Sequence, residues 1–376
     1  MSFRKRGVVL GNPRAPVSPK AENALPPGTR PSPHDGRVTT STGTQSLDQL
    51  LAGHAGLPMG TSLLLEETGT TDFGGMILRY YAAEGLVQGH HVHVLGYDDS
   101  WRRELPGLGS AGKDKSSKAE SSADSKMKIA WRYETLGNRP SPSREPAQVP
   151  GTTESVATFC HTFNLTKKLE NADIKGQLYT TPIGDFMARQ SQSAFKTFIA
   201  NTHARLNSSP PGSVHRIIVP SILSPTLYPS SACSPQEVLQ FLHGLRGLLR
   251  RYPTRLTALM TLPIALYPRS TGLTRWAELL CDGVMELVPL GHQIQVSRDP
   301  TKEDKEQGLL RVHSFPIFHE KGGGIDEGWR REDLSFKLSA STGLVITPYS
   351  LPPVGEEEEQ AKEAKEAEKK KQALEF

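Results

Sequence analysis

Two segments of the chain have residue types that could form a phosphate-binding loop. The first is Gly107-Leu108-Gly109-Ser110-Ala111-Gly112-Lys113, which fits both the GxGxxG and the GxxxxGK patterns. Such a loop must follow a strand and open a helix, so that backbone N–H groups and the helix dipole meet the phosphate. The residues that follow have no apolar period, and Asp114 replaces the Ser or Thr that would hold Mg²⁺. We interpret this segment as a flexible insertion.

The second segment has the right context. An apolar stretch, Thr61–Leu65, predicts a buried strand, and an amphipathic helix is predicted from Gly75 to Val87. Ahead of the strand stand Ser41-Thr42-Gly43, Leu47-Asp48-Gln49-Leu50-Leu51 and Gly56-Leu57-Pro58-Met59-Gly60, and Ala83-Glu84-Gly85-Leu86 lies near the end of the helix. This order of motifs resembles the entry to the RecA/KaiC-like ATPase core. The loop between the strand and the helix stands where that core has its phosphate loop.

The chemistry of a phosphate loop is missing from this frame. Its first glycine falls on Glu66, the second on Thr71, the lysine on Asp72 and the Ser or Thr on Phe73; Thr68 and Gly69 complete the degenerate loop. Two unit charges ~4 Å apart interact by ~1–4 kcal/mol at effective dielectric constants of ~80–20, so the two acidic residues would repel a triphosphate. The strand at 216–219 also ends in Pro220-Ser221, where a Mg²⁺-holding Asp is expected. We therefore predict no catalytic residues, no bound cofactor and no metal site, with ATP conceivable only at subunit interfaces.

The elements that position this loop alternate between strand and helix. Further strands are predicted at 92–97, 214–219, 256–262 and 284–288, with late β segments at 309–315, 334–337 and 344–347. Further helices are predicted at 183–206, from Pro235, and at 274–281. Alternation with apolar strands predicts an α/β fold: a mostly parallel, twisted sheet with helices on both faces.

Composition separates a folded domain from low-complexity segments. Apolar residues make up only 36% of the 376 residues, and 63 residues are Gly or Pro. We predict a disordered, basic, Pro-rich arm at 1–37, a single domain at 38–355 with insertions at 106–126 and 138–155, and a charged Glu/Lys/Ala tail at 356–376. The formal charge of +4 comes mainly from the arm, which carries a net +5. The near-neutral body argues against a basic nucleic-acid-binding core.

Cysteine usage and hydropathy limit the class of protein. Cys160, Cys233 and Cys281 lie far apart with no CxxC pair, which argues against a zinc site or a disulfide framework and fits a reducing compartment. No apolar run approaches the ~18 residues of a membrane span, and no signal peptide is apparent. We expect a soluble intracellular protein without a membrane partner.

Several segments together resemble the PAXNEB family of Elongator subunits. Besides the lead-in and Glu66-Glu67, they are Leu78–Gly85, the sequence MKIAWRY at 127–133, FCHTFNLT at 159–166 and IIVPSILSP at 217–225. The resemblance covers about residues 38–353 and implies a RecA-like fold with a degenerate phosphate loop. It also implies a ring with the fifth and sixth Elongator subunits, contact with the remaining subunits, and tRNA binding. The implied role is non-catalytic support of wobble-uridine (5-carboxymethyluridine-type) tRNA modification in the cytoplasm and nucleus.

Candidate RNA contacts are sought in loops that follow the central strands, at about 224–234 and 267–275. Arg269 and Arg275 are the cations there that could meet an RNA backbone. Ordinary solvated arginines are the alternative, and the small net charge of the body favours it.

Aromatic and histidine residues offer weaker candidates. Trp131, Tyr133 and Trp276 could stack on bases, but core packing or a subunit interface is favoured for the first two, and core packing for Trp276. His90, His91 and His93 are interpreted as structural, because no Cys or carboxylate stands at ligand spacing. Two other functions stay open: an ATPase with nucleotide at ring interfaces, and a regulatory adaptor in transcription elongation that acts through the arm and tail.

Overall fold

A computed structural model describes residues 25–33, 35–51, 56–68, 71–109, 158–183, 193–290, 306–316, 334–339 and 343–349. The strands are β1 (Thr29–Pro31), β2 (Val38–Thr40), β3 (Leu57–Pro58), β4 (Ser62–Glu67), β5 (His91–Gly96), β6 (Pro106–Leu108), β7 (Phe163–Lys168), β8 (Gln177–Pro182), β9 (His215–Val219), β10 (Leu256–Pro263), β11 (Gly283–Pro289), β12 (Gly308–Ser314), β13 (Leu334–Ser339) and β14 (Gly343–Pro348). The helices are α1 (Gln45–Leu50), α2 (Phe73–Gln88), α3 (Ala194–Ser208), α4 (Pro235–Arg251) and α5 (Gly272–Leu280), with a 3-10 helix at Asp99–Glu104.

One nine-stranded sheet carries most of these strands, in the order β14-β13-β12-β11-β4-β10-β9-β5-β8. The six strands from β11 to β8 are parallel, and β11 to β14 form an antiparallel extension. Strand β4 lies between β10 and β11, so the loop after it opens at the carboxyl edge in the middle of the sheet. Ligands of open α/β sheets bind at this edge.

Helices cover both faces of the sheet, because the central strands are apolar on both sides. Along β4, Leu63 and Leu65 pack into one core cluster and Leu64 into the other, as the two-residue period of a strand requires. Helix α2 packs in the first cluster, and α3, α4 and α5 pack in the second. The predicted α/β class, with a mostly parallel sheet between helical layers, is confirmed.

Most of the predicted elements are present, with boundaries that shift by one or two residues. The helix predicted at 75–87 is α2, and that predicted from Pro235 is α4, capped by the Ser234 hydroxyl. The helix predicted at 183–206 was placed too early, since α3 begins at Ala194 and Ile183 is the buried residue just after β8. Within the described residues, no helix is long and apolar enough to cross a membrane.

Two low-complexity boundaries differ from the prediction. The arm predicted at 1–37 contains β1, which pairs with β2, and its Pro27 carbonyl accepts a hydrogen bond from His90 Nε2 at 2.8 Å. The insertion predicted at 106–126 begins with β6, which pairs with β7. Both short strands were missed because they have no apolar period of their own. Residues 110–126, the insertion at 138–155 and the tail lie outside the described residues.

Candidate functional site

A carboxylate of the chain itself lies where a phosphate would be expected. Glu67, the last residue of β4, accepts hydrogen bonds at Oε1 from the Thr71 hydroxyl (2.7 Å) and the Phe73 backbone N–H (2.8 Å). Its Oε2 accepts one from the Gly74 N–H at 3.2 Å. These N–H groups belong to the first turn of α2, whose positive dipole end favours an anion. The anion-binding end of the helix is therefore filled from within.

Gly74 gives the Glu67 carboxylate room to approach the helix. A Cβ atom at this position would lie 3.1 Å from Glu67 Oε2 and 3.0 Å from Thr261 Cγ2. Burial raises the pKa of Glu67, and the hydrogen bonds from Thr71 and the two amides oppose that shift. The network thus offsets part of the cost of burying a carboxylate.

The positions that a phosphate loop uses for its lysine and for its Mg²⁺-binding hydroxyl are also occupied by other residues. Asp72, at the lysine position, binds Arg79 at 2.8 Å and makes no side-chain cap to the helix. Phe73, at the Mg²⁺-binding position, packs edge-on against Phe336 with ring centroids 4.8 Å apart. Thr68 is bound to the Leu287 carbonyl at 3.2 Å, whereas Gly69 lies outside the described residues. Within the described part of the loop, no cation faces the end of α2.

Glu66, at the position of the first loop glycine, is fully buried. Neither of its carboxylate oxygens has a hydrogen-bond partner among the described residues, although Arg269 Nε lies 3.4 Å from Oε2. Burial raises the pKa of Glu66 to about 8, and repulsion from Glu278 adds to the shift while Arg269 opposes it. Burial therefore favours the neutral form of this carboxyl.

The two predicted RNA contacts meet beside this buried carboxyl. Arg269 donates to both oxygens of Glu278 (2.7 and 3.1 Å), and Arg275 donates to Glu278 at 3.0 Å. Arg269 also contacts His313, which binds Glu286 at 2.9 Å. The sequence did not show that both arginines would be held by one carboxylate. Their role toward RNA stays a prediction.

The expected Mg²⁺-holding position at the end of β9 also lacks a carboxylate. Ser221 has φ 42° and donates its N–H to Thr261 Oγ1 at 2.6 Å, and Leu223 also has a left-handed backbone (φ 70°). The chain turns sharply after Pro220 and tucks Ile222 and Leu223 into the core. The turn therefore contributes to the packing of the core.

The lead-in motifs form a buried polar network instead of a nucleotide site. Asp48 accepts hydrogen bonds from the Ser41 hydroxyl (2.6 Å) and from both the N–H and the hydroxyl of Thr42 (2.7 Å each). Gly43 is required because its φ is 78° and a Cβ there would lie 2.4 Å from the Tyr80 carbonyl oxygen. The motif thereby holds the segment before α1 against α2.

A second buried network joins α2 to strand β9. Arg216 is fully buried and donates to the Tyr81 carbonyl (2.9 Å), the Thr40 hydroxyl (2.8 Å) and His90 Nδ1 (3.0 Å). Gly85 makes room for it, because a Cβ there would lie 2.7 Å from Arg216 Cδ. Sequence reasoning missed Arg216, since a charged residue in the apolar run HRIIV gives no sign that its side chain turns inward.

The histidines form a stacked cluster in the sheet. His93 Nε2 lies 3.0 Å from His215 Nδ1, and the rings of His91 and His215 stack with centroids 4.6 Å apart. Burial lowers the pKa of His93 to about 3 and that of His215 to about 2, with repulsion between the histidines adding to each shift. No group of three metal-binding side chains occurs among the described residues. The structural role of the cluster stays a prediction.

The predictions for the three aromatic residues have different outcomes. Trp131 and Tyr133 lie outside the described residues. The prediction that Trp276 belongs to the core is wrong, because 56% of this residue is exposed. Helix α5 buries Thr274, Ala277 and Leu280 instead.

Comparisons with known proteins agree on one family. The model of the PAXNEB protein family matches residues 22–376. Elongator complex protein 4 of Schizosaccharomyces pombe is 32% identical over 91% of this chain and 92% of its own length. The human protein of that name is 29% identical over 94% of this chain and 85% of its own length, and the Saccharomyces cerevisiae protein 26% over 78% and 70%. A KaiC-like protein from Pyrococcus horikoshii aligns with 82% of this chain and 99% of its own at 14% identity and a TM-score of 0.38.

Proposed function

The chain belongs to the PAXNEB protein family, and from this membership we propose that it is a non-catalytic subunit of the Elongator complex. Its role is structural, because it forms a RecA-like ring with the fifth and sixth subunits. The ring contacts the remaining subunits and binds tRNA. The complete complex modifies wobble uridines in the cytoplasm and nucleus. Two relatives named Elongator complex protein 4, which this chain matches over most of their length, support membership of the complex. The modification chemistry belongs to another subunit in this proposal.

The observation that carries the non-catalytic part is the Glu67 carboxylate at the N-terminus of α2. A triphosphate would have to displace a covalently attached anion from the same amides. It would also meet Asp72, and it would find no lysine and no hydroxyl at the positions that hold phosphate and Mg²⁺. Each of these features opposes nucleotide binding independently.

Co-expression with the fifth and sixth Elongator subunits tests the assembly. We expect a stable complex larger than any single chain that retains tRNA in a salt-dependent manner. A chain that stays monomeric in the presence of both subunits would refute the proposal. Deletion of residues 1–24 and 356–376 should leave assembly intact. If the truncated chain assembles normally but the complex loses its activity, the result would favour the regulatory adaptor.

ATP turnover by the isolated chain and by the ring tests the enzymatic alternative. We expect none from this subunit's loop. Turnover in the ring that disappears when Thr68, Thr71 and Asp72 are replaced by alanine would favour an interface ATPase.

Arg269 and Arg275 remain our candidate tRNA contacts, although both are already bound to Glu278. Each must share or release Glu278 to meet a phosphate. Arg269→Glu with Arg275→Glu in the ring should weaken tRNA binding and reduce its salt dependence. Unchanged affinity at low salt would remove both residues from the site.

A further inference from the structure

Two of the exposed apolar side chains lie on helix α5, and a third lies in the connection that precedes it. Among the described residues, four large hydrophobic side chains are exposed, and three of them are Leu266 (57%), Trp276 (56%) and Leu279 (68%). Trp276 and Leu279 are one helical turn apart on α5, and Leu266 lies in the connection from β10 to α5. We call these three residues the α5 patch. Single exposed apolar residues need no explanation, but a cluster that includes a tryptophan marks an interaction surface.

The charges beside the α5 patch have one sign at the surface. Arg246 donates to the Leu279 and Leu280 carbonyls at the end of α5, at 3.1 and 3.3 Å. Arg250 binds Asp282 at 3.0 Å, with 45% of the guanidinium side chain exposed against 3% of the carboxylate side chain. On the other side, Arg275 is 61% exposed while its partner Glu278 is 10% exposed. In each pair the cation faces outward and the anion is buried.

The chemistry of this surface fits a protein better than a nucleic acid. Trp276 with nearby guanidiniums could stack on a base, but Leu266 and Leu279 have no stacking face. Interfaces with nucleic acid are more polar than interfaces between proteins. An apolar centre with tryptophan, surrounded by arginine, is the composition of a protein–protein hot spot.

We propose that the α5 patch is a docking surface for a partner protein whose contact face has apolar side chains flanked by carboxylates. This inference rests on the proposed function, because we take the partner to be a neighbouring Elongator subunit. The apolar centre supplies affinity and the outward guanidiniums supply orientation and speed of association.

The test compares Trp276→Ala with Leu279→Ser, singly and together, in co-expression with the fifth and sixth subunits. Leu25→Ser is the matched control, because Leu25 is the fourth exposed apolar side chain (44%) and lies far from α5 in sequence. Truncation of an interface tryptophan should weaken assembly by roughly 30-fold or more. The control should assemble like the wild type, and circular dichroism should show the same fold for all variants. Wild-type assembly of the double variant would overturn the inference.

A second measurement requires no variant. Amide hydrogen exchange of the wild-type chain, alone and in the complex, should show protection of residues 264–280 on assembly. Unchanged exchange there in an assembled complex would refute the docking surface, and so would a variant that loses tRNA while assembling normally. If the wild-type chain fails to assemble with either subunit, the proposed function fails instead, so the two failures are distinguishable.

Discussion

Glu66→Gln isolates the electrostatic cost of the buried carboxyl in the degenerate loop. Glu66 has an ordinary pKa of 4.5 and a folded-state pKa of about 8. The folded state therefore binds its proton more tightly than the unfolded state does. Between these two pKa values the folded chain holds more protons, so the wild type loses stability as pH rises from about 4.5 to about 8. Glutamine keeps the shape of the neutral carboxyl and has no proton to lose.

The size of the effect follows from the separation of the two pKa values. A separation of about 3.5 pH units corresponds to an upper limit of ~5 kcal/mol at ~1.4 kcal/mol per unit. The titration of Glu66 is tied to that of Glu278, whose pKa is lowered: burial raises it, but the hydrogen bonds and charge of Arg269 outweigh burial. Of this limit, linkage places ~3 kcal/mol between pH 5.5 and pH 8.0. Because the two groups titrate together, we expect ~2–3 kcal/mol in this window.

Urea unfolding at pH 5.5 and pH 8.0 measures this directly. We expect the wild type to lose ~2–3 kcal/mol more than Glu66→Gln does between these pH values, and the variant to be the more stable protein at pH 8.0. Glu104→Gln is the control, because Glu104 is half exposed and pairs with Arg79 at the surface. An equal pH dependence in wild type and Glu66→Gln would refute the assignment of a protonated carboxyl at this position.

Substitutions at three further positions test other buried polar groups. Glu67→Ala should lower the free energy of unfolding by ~1–3 kcal/mol in urea, because it leaves the Phe73 and Gly74 amides without their acceptor, and Glu67→Gln should cost less. Arg216→Met should cost ~2–4 kcal/mol in the same assay, because it strands three buried acceptors, and an unchanged midpoint would contradict that role. His93 titrates in the opposite sense to Glu66: its pKa of about 3 lies below the ordinary 6.5, so its contribution is complete above pH 6.5 and is lost as pH falls. At pH 5 the loss is ~2 kcal/mol, and a wild type that loses no more stability than His93→Gln between pH 7.5 and pH 5 would exclude it.

Periodic apolar patterns made the frame of the fold predictable from sequence. Strand β4, helix α2 and the alternating elements after them follow directly from apolar residues at spacings of two and of three to four. The lead-in motif located the loop correctly. Side-chain direction was harder to predict. Trp276 shares a helical stripe with Leu273 and Leu280, yet the buried residues of α5 are Thr274, Ala277 and Leu280. A nine-residue helix offers too few positions to fix its buried face from sequence.

Interactions that depend on the chain folding back were beyond the sequence. Glu67 follows Glu66 in an acidic pair, and only the curvature of the loop brings its carboxylate to amides six and seven residues later. The same holds for Arg216, whose inward turn depends on the space left by Gly85 on a different element. In both cases the interaction depends on two residues that are apart in sequence, so neither residue alone predicts it.

The frame and the nucleotide chemistry of this fold are physically separable. Asp48, with the Ser41 and Thr42 hydroxyls, holds the lead-in against α2, and Arg216 ties α2 to β9. None of these contacts involves the loop between β4 and α2. An empty helix N-terminus would leave amides unsatisfied in the middle of the sheet edge, and Glu67 fills that position permanently. A lysine placed at position 72 would still find the Phe73 and Gly74 amides occupied by the Glu67 carboxylate.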